Sequence, residues 1–388
     1  MTYRNDFTVP AELMEQVAAQ GVDVLPELIR IVLNAAMQAE RSEYLQAEPY
    51  QHTPERIGHA NGYKAKTLRT RIGDITFAVP QLRDGGFYPQ ALEKGLRSER
   101  ALTLALAEMY VQGVSTRKVK AITEQLCGLN ISSSAVSQAA SQLDTELAKW
   151  RERPLGEYLF LFLDAYYEQV REDGQVRDLA VLVAVGVNRA GKREILGVSV
   201  SLSEHEVHWR TFLESLKQRG LGGVQLITSD DHAGLRAARL AVFGGIPWQR
   251  CQFHLQQNAQ AYVPRKDMLT EVASDIRTIF DAPDRVTAEA YLTKAVQKYS
   301  KSASRLSEWL ANNLPEGLTV FTFPASFRRL LRTTHGVERL HREVRRRARV
   351  VSIFPNPASC LRLVSAILAE ISEDWLTART FMIFEGPT

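Results

Sequence analysis

Cysteine is scarce. The three in 388 residues stand at 127, 251 and 360, too few and too dispersed for a disulfide framework. Apolar runs near the roughly 20 residues of a membrane-spanning helix are missing, and no secretory leader is evident. The expected compartment is therefore the cytosol, with no membrane partner. A large charge of one sign is absent too: the formal net charge is only +4, so affinity for a polyanion must come from local patches such as residues 328 to 349. Repeats and low-complexity stretches are absent, and disorder is expected only in the first few residues and in 48 to 60. What remains is 45% hydrophobic and long enough for two or three domains with proper cores.

Residues 157 to 167, Glu-Tyr-Leu-Phe-Leu-Phe-Leu-Asp-Ala-Tyr-Tyr, are an apolar run that stops at Asp164, the pattern of a buried strand with a carboxylate near its end. The pattern returns in residues 223 to 230, which end in Asp230 and are followed by Asp231, His232 and a helix start. Between them, residues 177 to 187 and 193 to 202 read as two strands around the turn signal Asn188, Arg189, Ala190, Gly191. Residues 206 to 218 read as a helix carrying Trp209, Phe212, Leu213 and Leu216 on one face. Three strands, a helix, a strand and another helix open a ribonuclease-H-like α/β domain, in which the first strand is central and the fourth lies beside it. Asp164 and Asp230 are then expected to meet at one edge of the sheet. Mg²⁺ prefers oxygen ligands and keeps several waters, so a few carboxylates and a substrate phosphate suffice to hold it. Two such ions about 3.5 to 4 Å apart activate an attacking hydroxyl and stabilise a leaving oxygen in an in-line displacement.

A third acid comes from residues 333 to 349. Val337, Leu340 and Val344 share one helical face, and at about 100° per residue Glu338 falls away from it with Arg342, Arg345 and Arg349. Two readings stand: an i,i+4 salt bridge from Glu338 to Arg342 on a solvated face, or a metal ligand flanked by phosphate-binding arginines, Arg342, Arg345, Arg346 and Arg349. Glu343 is a rival acid about 140° away on the helical wheel.

Several blocks then line up in order: Asn61-Gly-Tyr with Val79-Pro80; Met109-Tyr-Val-Gln-Gly-Val-Ser-Thr-Arg-Lys-Val119; Leu163-Asp164; Trp209 with Arg219-Gly-Leu221; Ser229-Asp230; Trp248-Gln-Arg-Cys-Gln-Phe-His254; Thr333-Thr334 with Val337-Glu338; Phe354-Pro355; Leu361-Arg-Leu363. Over nearly the whole chain they resemble the mutator-type transposases of bacterial insertion sequences, relatives of the plant Mutator elements. The resemblance implies a catalytic Asp-Asp-Glu triad at Asp164, Asp230 and Glu338 holding two Mg²⁺ ions per active site, with Mn²⁺ as a substitute. It further implies cleavage at the element's ends and transfer of the freed 3′-hydroxyl into target DNA, by a copy-out, paste-in route through a circular intermediate. The implied partners are double-stranded DNA, both terminal inverted repeats and target, and further copies of the chain in a dimer or larger assembly, in a bacterial, nucleoid-associated setting. The chain departs from the family in carrying His335 and His341 where asparagine is common, and Asp231 where a small residue is common. The strand alone allows Asp230 or Asp231 as ligand; the resemblance favours Asp230. Two other functions fit the residues: a ribonuclease-H-like nuclease or resolvase that cuts without joining, and a catalytically inactive, end-binding regulator in which Glu338 is only a salt-bridge residue.

Cys251 and His254 form a Cys-x-x-His pair near the end of an expected fifth strand, residues 246 to 253, which the resemblance marks as a family signature beside the active site. A structural zinc needs about four ligands, and no second close pair exists, so an active-site-supporting role, shared with His335 and Asp231, is expected for it. Cys251 as a nucleophile lacks an evident oriented base. Residues 255 to 325 are expected to be an all-helical insertion, with Met268, Val272, Ile276 and Phe280, then Tyr291, Ala295, Tyr299 and Leu306, at helical spacing. Trp209, Trp248 and Trp309 are read as core residues, with base stacking by Trp309 as the alternative.

Ahead of the catalytic core, residues 1 to 60 form a helical module, with a helix over 11 to 47 in which Pro26 suits the first turn and Leu28, Ile31, Val32 and Ala35 share a face. Residues 61 to 97 hold a β-hairpin and linker. Its turn is expected at Gly73-Asp74, with Leu68, Thr70, Ile72, Ile75, Phe77 and Val79 on one side and Arg69 and Arg71 on the other, facing either DNA or solvent. Residues 98 to 150 suggest a helix-turn-helix: Ser115 caps a second helix bearing Arg117 and Lys118, and Ser132 to Ser134 cap a third, 134 to 143, that offers Ser137, Gln138, Ser141 and Gln142 to DNA. A generic three-helix packing unit is the alternative. The catalytic core is expected over 151 to 254 and resumes over 326 to 388.

Overall fold

The computed structural model describes residues 21 to 384 other than 84, 93 and 95 to 97, together with 15, 18 and 19. The other positions of the helix expected over 11 to 47 that precede residue 21 lie outside the described residues. The chain divides into two compact units, Met1–Gln142 and Leu143–Thr388.

In the first unit, helix α1 (Leu25–Leu45) has Pro26 in its first turn, where the missing N–H costs nothing. It packs through Leu33 and Met37 onto Leu68, Ile75, Phe77 and Val79 of a hairpin. The face expected from sequence is not the packed one: Val32 is exposed, because the hairpin selects the face that meets its own apolar side. Strands β1 (Ala60–Thr70) and β2 (Gly73–Leu82) pair with Thr70 opposite Gly73, so the turn is Arg71-Ile72 rather than Gly73-Asp74. The Thr70 hydroxyl explains the displacement, donating to the Gly73 carbonyl (2.8 Å) and accepting from the Ile72 N–H (3.3 Å). Arg71 then lies in the turn, 3.2 Å from Glu99. Three helices follow: α2 (Arg100–Val111), α3 (Thr116–Cys127) and α4 (Ser133–Ser141). The Ser115 and Ser132 side chains cap α3 and α4 by accepting from the Lys118 and Ala135 N–H groups. Leu102, Leu106, Val119, Ile131 and Val136 form their common core.

In the second unit, helix α5 (Asp144–Glu152) leads into a five-stranded mixed sheet. Its strands are β3 (Tyr158–Glu172), β4 (Gln175–Asn188), β5 (Arg193–Ser201), β6 (Leu226–Ser229) and β7 (Trp248–Arg250). They lie in the order β5-β4-β3-β6-β7, with the first three antiparallel and β6 and β7 parallel to β3. Helices α6 (Glu206–Gln218) and α7 (Ala233–Phe243) cover one face, burying Leu161 and Leu163 with Trp209, Leu213 and Leu216. The alternate residues of β3 face the other side, where the Phe160 ring meets Phe323, Phe327 and Phe384. A central strand covered on both faces gives the continuous apolar run seen in the sequence.

Four helices follow the sheet: α8 (Gln252–Gln260), α9 (Leu269–Phe280), α10 (Arg285–Tyr299) and α11 (Ser304–Asn313). Met268, Val272, Ile276, Phe280, Ala295, Tyr299 and Leu306 are buried there as expected, and Trp309 is a packed residue stacked on Tyr262 at 5.4 Å. The chain returns to the sheet through α12 (Ala325–Leu331), α13 (His335–Ala348) and α14 (Pro357–Thr377). The Gly191 carbonyl, in the β4–β5 turn, accepts from the Phe381 and Met382 N–H groups, and Gly191 has φ +71°. Gly191→Ala would drive a methyl into the Met382 carbonyl from a backbone conformation that disfavours a side chain. We expect it to cost at least about 2 kcal/mol, and an unchanged thermal unfolding midpoint would contradict this account of the turn.

Candidate active site

Period-2 alternation puts Asp164 on the same face of β3 as Phe160 and Phe162. The strand does not end there: it runs on to Glu172, so Asp164 is a mid-strand residue, contrary to the sequence reading. The hairpin with β4 keeps that extension paired as far as Glu172 opposite Gln175. On the other edge the ladder with β6 stops at Phe162 opposite Thr228, so the sheet opens beside Asp164. Asp230 follows the last residue of β6, at that opening. Carboxyl ends of parallel strands are where open α/β sheets hold their ligands.

Three hydrogen bonds hold the approach to α13 and the start of α8 at this edge. The Thr228 hydroxyl donates to the Leu331 carbonyl (2.8 Å), the Gln252 N–H to the Arg332 carbonyl (3.0 Å), and the Cys251 N–H to the Ser229 carbonyl (2.7 Å). Glu338 therefore enters the site from the first turn of a helix tied to β6, with Val337, Leu340 and Val344 buried beneath it as expected. Its carboxylate lies 3.4 Å from the Thr334 hydroxyl, 3.7 Å from His254 Nε2 and 3.9 Å from His335 Nε2. No Glu338–Arg342 ion pair occurs among the described residues, so the i,i+4 salt bridge is not what holds Glu338. The rival Glu343 is bound to Arg346 (2.7 Å) and Arg347 (2.9 Å), which hold its pKa at about 2, and Arg347 reaches on to Glu370 of α14.

The electrostatics are those of crowded acids. Asp164, only 7% exposed, is raised to about 8 by burial first and then by the charge of Asp230, with a smaller push from Glu338. Its Oδ1 accepts the Ala165 N–H (3.0 Å), and His341 Nδ1 stands 3.4 Å from its Oδ2. That contact is not an ion pair: burial, and secondarily Arg345, push His341 down to about 3, so the ring is neutral. His341 also packs on the Tyr166 ring at 4.5 Å, and Arg345 lies over the same ring. Asp231 is engaged elsewhere, 3.1 Å from both Arg236 and Arg250. Asp230 is thus the acid that acts on Asp164.

Cys251 is not in a strand. β7 ends at Arg250, Cys251 occupies the position just before α8, and His254 sits in the helix's first turn, which brings the pair to the same side. His254 is raised to about 9, mainly by the Cys251 sulfur beside it, then by Asp230 and Asp164. Burial raises the Cys251 thiol, but His254 and Thr334 outweigh it and hold the thiol below its ordinary value. Thr334 was visible in the sequence only as part of a block. Its hydroxyl lies 3.4 Å from both Cys251 Sγ and Glu338 Oε1, a role no local pattern announces.

The basic candidates lie on exposed surfaces. Arg342, Arg345, Arg346 and Arg349 line α13, with Arg346 bound to Glu343. In the first unit Arg117, Lys118, Ser137 and Gln138 are exposed, and Gln138 lines a cleft of about 1010 Å³ with Lys66, Arg69, Arg100 and Gln142. Trp248 is occupied by Arg236 and Arg239 over its ring, and its Nε1 donates to Ser229 Oγ (3.0 Å).

Fold and site together define an α/β protein with a carboxylate-lined opening at the ends of parallel strands, closed by an arginine-rich helix. The family model described as "Transposase, Mutator family" matches residues 2–378, and the chain belongs to that family. It is 55% identical over 366 residues to the transposase for insertion sequence element IS406 of Burkholderia multivorans, covering 94% of each chain. It is 44% identical to the transposase for ISRM5 of Rhizobium meliloti, over 95% of this chain and 93% of the relative. Against the transposase for IS256 in transposon Tn4001 of Staphylococcus aureus the identity is 35%, over 98% of both.

Proposed function

We propose that this chain is a DNA transposase of an insertion sequence that works through Asp164, Asp230 and Glu338. The observation that carries the proposal is that, among the described residues, no arginine or lysine ion pair ties up any of these three acids. Asp231 and Glu343, the neighbours that rival two of them, are bound by arginines, whereas Asp230 and Glu338 bear on the buried Asp164. A buried carboxylate crowded by two others is a costly arrangement that divalent cations relieve. The residues thus fit two Mg²⁺ ions, or Mn²⁺ in their place, which when bound activate the attacking oxygen and neutralise the leaving one. Asp164 and Asp230 are delivered by the sheet and Glu338 by α13, so the third acid depends on the helix staying docked. His341, neutral and packed on Tyr166, positions Asp164. Arg342, Arg345 and Arg349 offer phosphate contacts beside Glu338. A water first frees a 3′-hydroxyl at the element's end, and that hydroxyl then attacks a target phosphodiester.

The strand order and the helices at 252 to 313 support a ribonuclease-H-like core with a helical insertion, and the Ser-capped α3 and α4 support a helix-turn-helix reading of the element's ends. Two ends must be cut and joined together, which calls for a dimer or larger assembly. The test is a reaction on labelled duplex carrying the element's terminal repeats and a target, with Mg²⁺ against chelator. Joined products that require the metal support the proposal. Cleavage without joining would point instead to a nuclease or resolvase, and end binding without turnover to a regulator.

A further inference from the structure

Cys251 and His254, from the start of α8, and Glu338, from α13, each offer one ligand atom, and these atoms lie within 4.8 Å of one another. Two features go beyond proximity. The Cys251 sulfur accepts hydrogen bonds from the Thr334 N–H and hydroxyl, both at 3.4 Å, a set of donors that suits a thiolate better than a thiol. His254 Nδ1 is buried with no hydrogen-bond partner among the described residues, while Nε2 faces Glu338 Oε1 at 3.7 Å. The ring is thus held between the sulfur and the carboxylate without satisfying both nitrogens.

We propose that Cys251, His254 and Glu338 form a site for one Zn²⁺-class cation, and that its occupancy switches the enzyme off. Sulfur, imidazole nitrogen and carboxylate oxygen together select zinc over magnesium, and three protein ligands leave a fourth position for water. On binding, the Cys251 thiol gives its proton to solvent and sulfur, nitrogen and oxygen each donate an electron pair to the cation. Asp164 and Asp230, which offer only oxygen, remain the hard-cation partners. Glu338 cannot serve both at once, so zinc captured by the Cys-x-x-His pair removes the third acid of the proposed Mg²⁺ centre. That inhibitory consequence rests on the function proposed above; the binding itself does not.

The binding is read with Co²⁺ as a spectroscopic probe on the full-length chain, independently of DNA. One equivalent should give a thiolate-to-cobalt charge-transfer band and intense d–d absorption, both displaced by Zn²⁺. Cys251→Ser should lose the charge-transfer band and weaken Zn²⁺ binding at least about 100-fold, and Glu338→Gln should keep the band while weakening binding. A chain that binds no equivalent, or a band that survives in Cys251→Ser, overturns the site. Should Cys251→Ser fail to fold by circular dichroism, His254→Asn takes its place, and unchanged d–d bands there are equally fatal. In the cleavage reaction, micromolar Zn²⁺ should stop wild-type turnover in millimolar Mg²⁺; continued turnover at saturating zinc overturns the switch. Absence of turnover under every condition, with the cobalt band intact, would sink the transposase reading and leave the metal site standing.

Discussion

Asp164→Asn is expected to abolish Mg²⁺-dependent cleavage and joining, by at least about 10³-fold, while making the metal-free protein more stable than wild type. The two effects share a cause. The carboxyl is buried next to Asp230 and Glu338, so its folded pKa, about 8, lies above its unfolded value. For an acid raised in this way, the fold binds the proton more tightly than the unfolded chain does. The penalty is absent below about pH 4 and grows as pH rises, levelling above about pH 8. Asparagine keeps the shape and removes the charge, so in chelator its stabilising effect should increase toward pH 8, to the order of a few kcal/mol at most. Adding Mg²⁺ should then raise the wild-type melting temperature and leave that of Asp164→Asn nearly unmoved. A variant less stable than wild type in chelator at pH 8, or one that still joins DNA, would refute the assignment of Asp164.

Glu338→Gln and Glu343→Gln, five positions apart on one helix, are expected to separate cleanly. Among the described residues, the polar contacts of the Glu338 carboxylate are Thr334 and two histidines, so the glutamine should fold normally, bind DNA ends and lose turnover by at least about 10³-fold. Glu343 is gripped by Arg346 and Arg347, and through Arg347 it helps fasten α13 to Glu370 of α14. Its replacement should lower stability by about 1 kcal/mol or less and keep turnover within a few-fold. Because the Glu343 pKa is depressed to about 2, this contribution is present above the ordinary carboxylate range and is lost as pH falls toward 2. Joined products from Glu338→Gln at the wild-type rate would exclude it as an essential acid.

Much of the second unit is legible in the sequence. The helix Glu206–Gln218 was bounded to the residue, and β4 and β5 to within two residues, because side-chain periodicity and the Asn188–Gly191 turn are local signals. Ser115 and Ser132 announced their caps for the same reason. Asp164 stood out from its strand, whereas Asp230 against Asp231 and Glu338 against a salt-bridge role stayed open until the family resemblance chose between them; in the structure the charges of Asp230 and Glu338 both bear on the buried Asp164. The hairpin turn was misread by two residues because a Gly-Asp pair is a strong turn signal, while the Thr70 hydroxyl that closes the real turn is not. The length of β3 was underestimated because the continuous apolar run breaks at Asp164 and the residues after it are mixed in polarity, while their pairing with β4 keeps them extended.

By itself, then, the sequence determined the kinds of most elements and their order, the buried positions along many of them, and the family to which the chain belongs, since these depend on neighbours a few positions apart. Tertiary structure decided which of two adjacent aspartates acts on Asp164, that Glu338 meets His254 and Thr334 rather than Arg342, and that Cys251 stands at the start of a helix within reach of the third acid. Those outcomes turn on contacts between residues far apart in the chain. Carboxylates acquire their partners, and their proton affinities, from whatever folding carries to within a few ångströms, and no local pattern encodes that distance.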